Sequence, residues 1–112
     1  MSWPALVPPA LCTTPIRLTV LGEGLTEDGA PETLFQGDLF CLWQDGGRVM
    51  TTDRERLVVL AGRAWFPGDV CPEVPVISAG WGEIRGQRRR ILSGRKARDP
   101  DGNVNYTEVR FV

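Results

Sequence analysis

The sequence predicts an all-β fold, a small single-domain β-barrel or sandwich of about six to seven strands with long loops. Two observations carry this. The 112 residues contain 13 glycines and 9 prolines spread along the whole length, a density that leaves no room for long helices. The apolar residues fall into short runs, several alternating with period two, each bounded by a turn signal.

The elements follow in order. Residues 1–15 contain Pro4, Pro8, Pro9 and Pro15 and read as a stiff, extended N-terminal arm preceding a single β domain over 16–112. The arm is apolar through Trp3, Leu6, Val7 and Leu11, so it must be buried on its own domain or on a neighbouring subunit. Ile16, Leu18 and Val20 alternate with Arg17, Thr19 and Leu21 in the first predicted strand. Gly22 to Pro31 reads as a polar, acidic loop. Thr33 to Gln44 is a second strand, with a bulge or bend expected at Gly37-Asp38. Asp45-Gly46-Gly47 is a tight-turn signal before a short strand, Arg48 to Thr51.

Thr52-Asp53-Arg54-Glu55 has the form of a helix capping box. The run behind it is short, β-branched and closed by Gly62, so a turn at 52–55 and a strand from Leu57 to Phe66 are expected. Pro67, Pro72 and Pro75 make the connection to about residue 75 irregular. A three-stranded meander completes the chain: Val76 to Ile84, a two-residue turn at Arg85-Gly86, Gln87 to Lys96, a turn at Asp99-Pro100-Asp101-Gly102, and Val104 to Phe111. In that last turn proline presets φ at the second position.

Charge is segregated along the chain. The net charge is -1, but residues 1–84 carry -6, residues 85–98 carry +7 and residues 99–112 carry -2. The basic stretch consists of Arg85, Arg88, Arg89, Arg90, Arg95, Lys96 and Arg98. On a regular strand these split between both faces, and they form one stripe only if a bulge intervenes, with Gly94 as the candidate. Such a surface suits a phosphate backbone or an acidic partner. The competing expectation is a solvated hairpin whose arginines pair with the domain's own acids.

The same inventory excludes several chemistries. The chain has no histidine, which removes imidazole relays, Ser-His-Asp and Cys-His catalysis in their usual forms, and Cys₂His₂ zinc sites. Cys12, Cys41 and Cys71 are odd in number and form no CxxC pair; they read as buried, reduced thiols. The acids Glu23, Glu27, Asp28 and Glu32 lack calcium-ligand spacing, and no nucleophile, base and oxyanion set is present. No catalytic, cofactor-binding or metal-ligating residue is therefore assigned, no cofactor is expected, and the chain is not expected to be an enzyme. No apolar run reaches the ~18 residues of a spanning helix, and the proline-interrupted N-terminus does not read as a signal peptide. Most aromatics lie in apolar runs and read as core; Trp81, between Gly80 and Gly82, is the candidate for an exposed contact.

Three segments together carry a family resemblance. They are Leu57 to Asp69 (LVVLAGRAWFPGD), Pro75 to Gly80 (PVISAG) and Gly94 to Glu108 (GRKARDPDGNVNYTE). In order and spacing the chain resembles the small minor capsid, or head-tail joining, proteins of tailed bacteriophages and prophages. The resemblance covers roughly half the chain, and its most specific part is Ala97 to Tyr106. It implies a small β-barrel with long loops, arranged in a ring in the virion neck below the portal and adaptor. Such a ring closes the DNA-filled head and offers the surface on which the tail docks.

The implied partners are further copies of the chain, portal or adaptor proteins, tail-terminator proteins and, non-specifically, packaged DNA, with no membrane. Assembly would take place in the host bacterial cytoplasm. The family turn falls on Asp99, Pro100, Asp101 and Gly102, a structural role. Two surfaces are candidates for assembly: the basic hairpin, facing a neighbouring subunit or DNA, and the arm residues Trp3, Leu6, Val7 and Leu11, lying on a neighbour. A tail-terminator or tail-completion protein is an alternative within the same class, and a small nucleic-acid-binding β-barrel is one from another class.

Overall fold

Alternating apolar residues on six strands close the chain into an antiparallel barrel. The structure, a computed structural model, describes residues 4–46, 49–51 and 57–112. Trp3, Gly47, Arg48 and the turn expected at 52–55 lie outside the described residues. The strands are β1 (Thr14–Leu25), β2 (Pro31–Asp45), β3 (Val49–Thr51), β4 (Leu57–Val59), β5 (Gly62–Pro67), β6 (Gly80–Ile84), β7 (Gln87–Arg98) and β8 (Val104–Phe111). The barrel order is β1-β2-β5-β8-β7-β6, with β6 pairing back to β1, and β3 and β4 form a separate two-stranded ribbon. A barrel rather than a sandwich is therefore the architecture, and closure removes the exposed sheet edge from most of its wall.

The inward residues fill the barrel. Ile16, Leu18 and Val20 from β1 meet Ala64 and Phe66 from β5, Ile84 from β6, Ile91 from β7 and Val109 and Phe111 from β8. Phe66 and Phe111 are almost wholly buried, and each such side chain contributes about 1.5–3 kcal/mol by leaving water. Gly82 and Gly62 are needed for this packing: a Cβ would stand 2.8 Å from the Phe111 ring at the first and 2.2 Å from Trp43 at the second.

Several expected boundaries shift. The polar stretch 22–31 is half strand, because β1 and β2 continue pairing out to Leu25–Pro31 around a tip turn at 26–30. β2 passes Gly37-Asp38 without a break, in register with Leu18 and Arg17. The irregularities lie nearer the tip, where Leu34 is an extra residue of β2 between Phe35 and Thr33 and where β1 has extra residues between Leu21 and Leu25. The expected strand Leu57 to Phe66 is two strands. Leu60 turns into the interior, 1% exposed, and Ala61 donates to Phe111 O at 2.7 Å, which steers the chain from the β3–β4 ribbon into the barrel wall.

The expected strand Val76 to Ile84 begins only at Gly80, whose φ of +134° is a conformation that L side chains rarely adopt. The residues before it are used differently. Cys71, Val74 and Ile77 are buried in the core, so the connection 68–79 packs into the barrel. The Arg85-Gly86 turn is as expected, with φ of 50° and 76°, positive at both central positions as a type I′ hairpin requires.

Candidate functional site

The basic segment is divided by a bulge. Ile91 pairs with Phe111 and Ser93 with Arg110, so Leu92 is the extra residue and side-chain parity changes there. Before the bulge the even-numbered Arg88 and Arg90 point outward, in register with Glu83 and Trp81. After it the odd-numbered Arg95 does so, in register with Glu108. The bulge that aligns the basic residues is thus at Leu92, not Gly94. Gly94 instead admits the connection 68–79: its N–H donates to Ile77 O at 2.9 Å, and a Cβ would come within 2.6 Å of Ile77.

The seven basic residues do not form one surface. Arg85 lies in the β6–β7 turn and Arg88, Arg89 and Arg90 follow it along β7, opposite Glu83, Gly82 and Trp81, and among the described residues no carboxylate lies within 4.0 Å of them. The Arg88 guanidinium carbon stands 3.7 Å from the Trp81 ring centroid, a cation–π stack. Trp81 is therefore a half-buried base beneath Arg88 rather than a freely exposed contact. Arg89 donates to Gln87 Oε1 at 2.6 Å.

The remaining three are engaged within the chain. Arg95 donates to Tyr106 Oη at 2.9 Å and lies 3.8 Å from Glu108 Oε2. Arg98 donates to Gly102 O at 2.8 Å. Lys96 requires a correction: its side chain is only 7% exposed and turns inward, in register with buried Thr107. Its ammonium lies 2.9 Å from Asp69 Oδ1 and donates to the carbonyls of Cys71, at 2.8 Å, and Val74. A buried ammonium needs this many acceptors. Lys96 is thus an internal staple holding the connection 68–79 in place, and it belongs to no assembly or DNA-facing surface.

Glu108 was not among the sequence candidates. It sits on the outer side of β8, opposite Arg95 and Trp65, yet it is 5% exposed. Arg110 Nε donates to it at 2.8 Å and Trp65 Nε1 at 3.0 Å. An acid at an outward strand position between an arginine and a tryptophan carries no mark in one dimension; cross-strand register creates the cluster.

The arm lies on its own barrel. Val7 and Cys12 are buried, the 3₁₀ turn Pro9–Leu11 lies between them, and Asn105 clips residues 4–6. Its Nδ2 donates to Pro4 O at 2.9 Å, and its Oδ1 accepts from the Leu6 N–H at 2.9 Å. Val7 is therefore corrected from a contact with a neighbour to a contact with the chain's own wall. Leu6 and Leu11 face outward, 69% and 55% exposed, and Leu6 borders a shallow groove lined with Leu42, Trp65 and Tyr106.

The structural turn is as expected. Asp99 N–H donates to Asn103 O at 2.7 Å, Gly102 N–H to Asp99 O at 2.9 Å, and Gly102 has a φ of +91°. Asp99 also accepts from Asn105 Nδ2 at 2.8 Å, which joins the turn to the arm clip.

All three cysteines are free and buried. Burial pushes the Cys41 thiol up to about 12, with Cys12 beside it adding to the shift. Burial also raises Cys12 and Cys71; Lys96 offsets part of the rise at Cys71. These thiols stay protonated and unreactive at neutral pH. Among the described residues no three His, Cys, Asp or Glu side chains converge as a metal site. No protein-family model and no curated protein matches the chain.

Proposed function

We propose that this chain is a structural protein of the tailed-phage virion neck, of head-closure type. In this reading it forms a ring below the portal and adaptor, retains packaged DNA and presents the surface on which the tail docks, after assembly in the host cytoplasm. The observation that supports the reading best is where the three family-like segments fall. Leu57 to Asp69 supplies β5, Gly94 to Glu108 supplies the end of β7, the turn and the first part of β8, and these are consecutive strands of one wall. Pro75 to Gly80 bonds to that wall through Ile77 O and Gly94 N. Segments distant in sequence thus make one contiguous unit, as segments shared for a structural reason should.

The chemistry agrees with a protein that works by contact. The barrel interior is filled by side chains, and the distinctive features are on the surface: a projecting acidic hairpin, a basic turn and outward apolar residues.

The test is a phage lacking this chain, observed by electron microscopy of infected or induced cells. DNA-filled heads that leak and fail to join tails are expected; normal virions would refute the proposal. A tail-terminator role is separated from head closure by the position of the ring in a virion map.

The second reading, a nucleic-acid-binding barrel, draws on Arg88 and Arg90 beside Trp81 and on Arg85 in the adjoining turn. It predicts duplex affinity that falls steeply with salt.

A further inference from the structure

The charge segregated in sequence is also segregated in space. β1 and β2 pair out to Leu25–Pro31, but β6 leaves β1 at Val20 and β5 leaves β2 at Leu42. The two strands therefore run on past the barrel wall as a projecting hairpin, with residues 24–34 all exposed. Its tip is ordered by Thr26 N–H to Ala30 O at 2.8 Å and Gly29 N–H to Thr26 O at 2.9 Å. It carries Glu27, Asp28 and Glu32, and no basic residue occurs between Arg17 and Arg48. It also exposes Leu25 and Leu34, 70% and 42%. A two-stranded hairpin with acids and exposed leucines gains little stability alone and gains from a complementary surface.

That surface exists on the same chain, at the other end of the barrel. β6 begins at Gly80 beside Val20, the hairpin end, and runs to Ile84. The Arg85-Gly86 turn is thus a strand length away, ~17 Å for five residues. Arg85 and Arg88 are exposed there, and Arg90, also exposed, follows Arg88 on the same outer face of β7, opposite Trp81. Glu83 is the acid among them, in register with Arg88 but not within 4.0 Å of it. A rigid barrel holds the acidic hairpin and the basic turn at opposite ends, so one molecule cannot bring them together, whereas two can.

The geometry points to a head-to-tail contact between copies of this chain. The acidic hairpin of one copy, with Glu27, Asp28 and Glu32, seats on the basic turn of the next, on Arg85 and Arg88 and along the outer face of β7 to Arg90. The two surfaces differ, so the contact is heterologous: it leaves a free hairpin and a free basic end at each step, and it closes into a ring when the rotation per copy divides a full turn. Ring closure rests on the neck-protein reading; the pairwise contact rests on the charges alone.

Sedimentation of the full chain across concentration at low and high salt tests this, with two variants. Wild type should self-associate at low salt and weaken about tenfold or more at high salt. E27K/D28K/E32K and R85E/R88E/R90E should each stay monomeric, with unchanged circular dichroism because every altered residue is exposed. Mixing the two variants should restore association, since each then offers the end that the other lacks.

A wild type that remains monomeric at its highest soluble concentration overturns the contact, as do single variants that associate like wild type or a mixture that does not. If wild type stays monomeric while its basic end binds duplex DNA, the contact is replaced by a nucleic-acid surface. Leaky, tailless heads in a phage lacking the chain would leave the neck reading standing even where this contact fails.

Discussion

Residues 85–90 and 95–98 are both dense in arginine or lysine, and one bulged residue, Leu92, lies between the two stretches of β7. The first stretch, around the β6–β7 turn, presents Arg85, Arg88 and Arg90 to solvent with no carboxylate within 4.0 Å among the described residues. The second is bound into the fold: Lys96 by Asp69 and two carbonyls, Arg95 by Tyr106 and Glu108, and Arg98 by Gly102. The difference shows that a basic side chain on a strand becomes structure or surface according to what its neighbours in register offer. Where a connection crosses the barrel end, a lysine is buried as a staple; where only a two-residue turn follows, arginines are left for another molecule.

The largest effect that separates the two stretches is at Lys96. Lys96→Ala leaves Asp69 and two loop carbonyls without their partner, and it should cost about 3 kcal/mol in urea unfolding. Its connection 68–79 should also become the first site of protease cleavage. A loss under ~0.5 kcal/mol would place Lys96 with the surface arginines instead.

Glu108→Ala comes next. It removes the acceptor of Trp65 and Arg110 at a buried outer position, and about 2 kcal/mol of lost stability is expected, read as a lowered urea midpoint.

Alkaline pH bears on the whole barrel and sets a background for both stretches. Burial raises the thiols of Cys12, Cys41 and Cys71 in the folded state, Cys41 from 9.0 to about 12. The unfolded chain therefore releases these protons first as pH rises. Their contribution is complete below pH 9 and is lost above it, with a limiting slope of ~1.4 kcal/mol per pH unit for each thiol. Denaturation midpoints should be level from neutral to mildly alkaline pH and fall toward pH 12, and Cys41→Ala should flatten part of that fall while lowering the neutral value.

The smallest effect belongs to the exposed stretch. Arg90→Ser should change stability by less than about 0.5 kcal/mol, and Arg88→Ser by ~0.5–1 kcal/mol through the lost stack on Trp81. A larger loss at Arg90 would show that this stretch, too, is part of the fold.

Much of the architecture was legible in one dimension, because local chemistry dictates it. Period-two alternation in Ile16 to Leu21 marks β1. The Arg85-Gly86 pair accepts the positive φ values of a two-residue hairpin, and Asp99 to Gly102 carries its own turn hydrogen bonds. Val76 to Ile84 was not legible: its alternation suits a strand, yet Ile77 is better used inside the barrel, and only the packing of the connection 68–79 reveals that. The continuous run Leu57 to Phe66 hid a change of sheet for the same reason, since Leu60 fills a site in the interior.

The candidate surfaces divide in the same way. Composition alone reveals the acidic and basic segments and the apolar arm, because charge and hydrophobicity are properties of residues taken singly. Tertiary structure decided which of them are surfaces. It buried Lys96 and Val7, collected Glu108 with Trp65 and Arg110, and set the acidic hairpin and the Arg85 turn at opposite ends of a rigid wall. Those outcomes depend on strand register and on where it shifts, which are collective properties of pairing between distant segments. A single extra residue, Leu92, reverses the face of the side chains that follow it as far as Ala97, where the register shifts again.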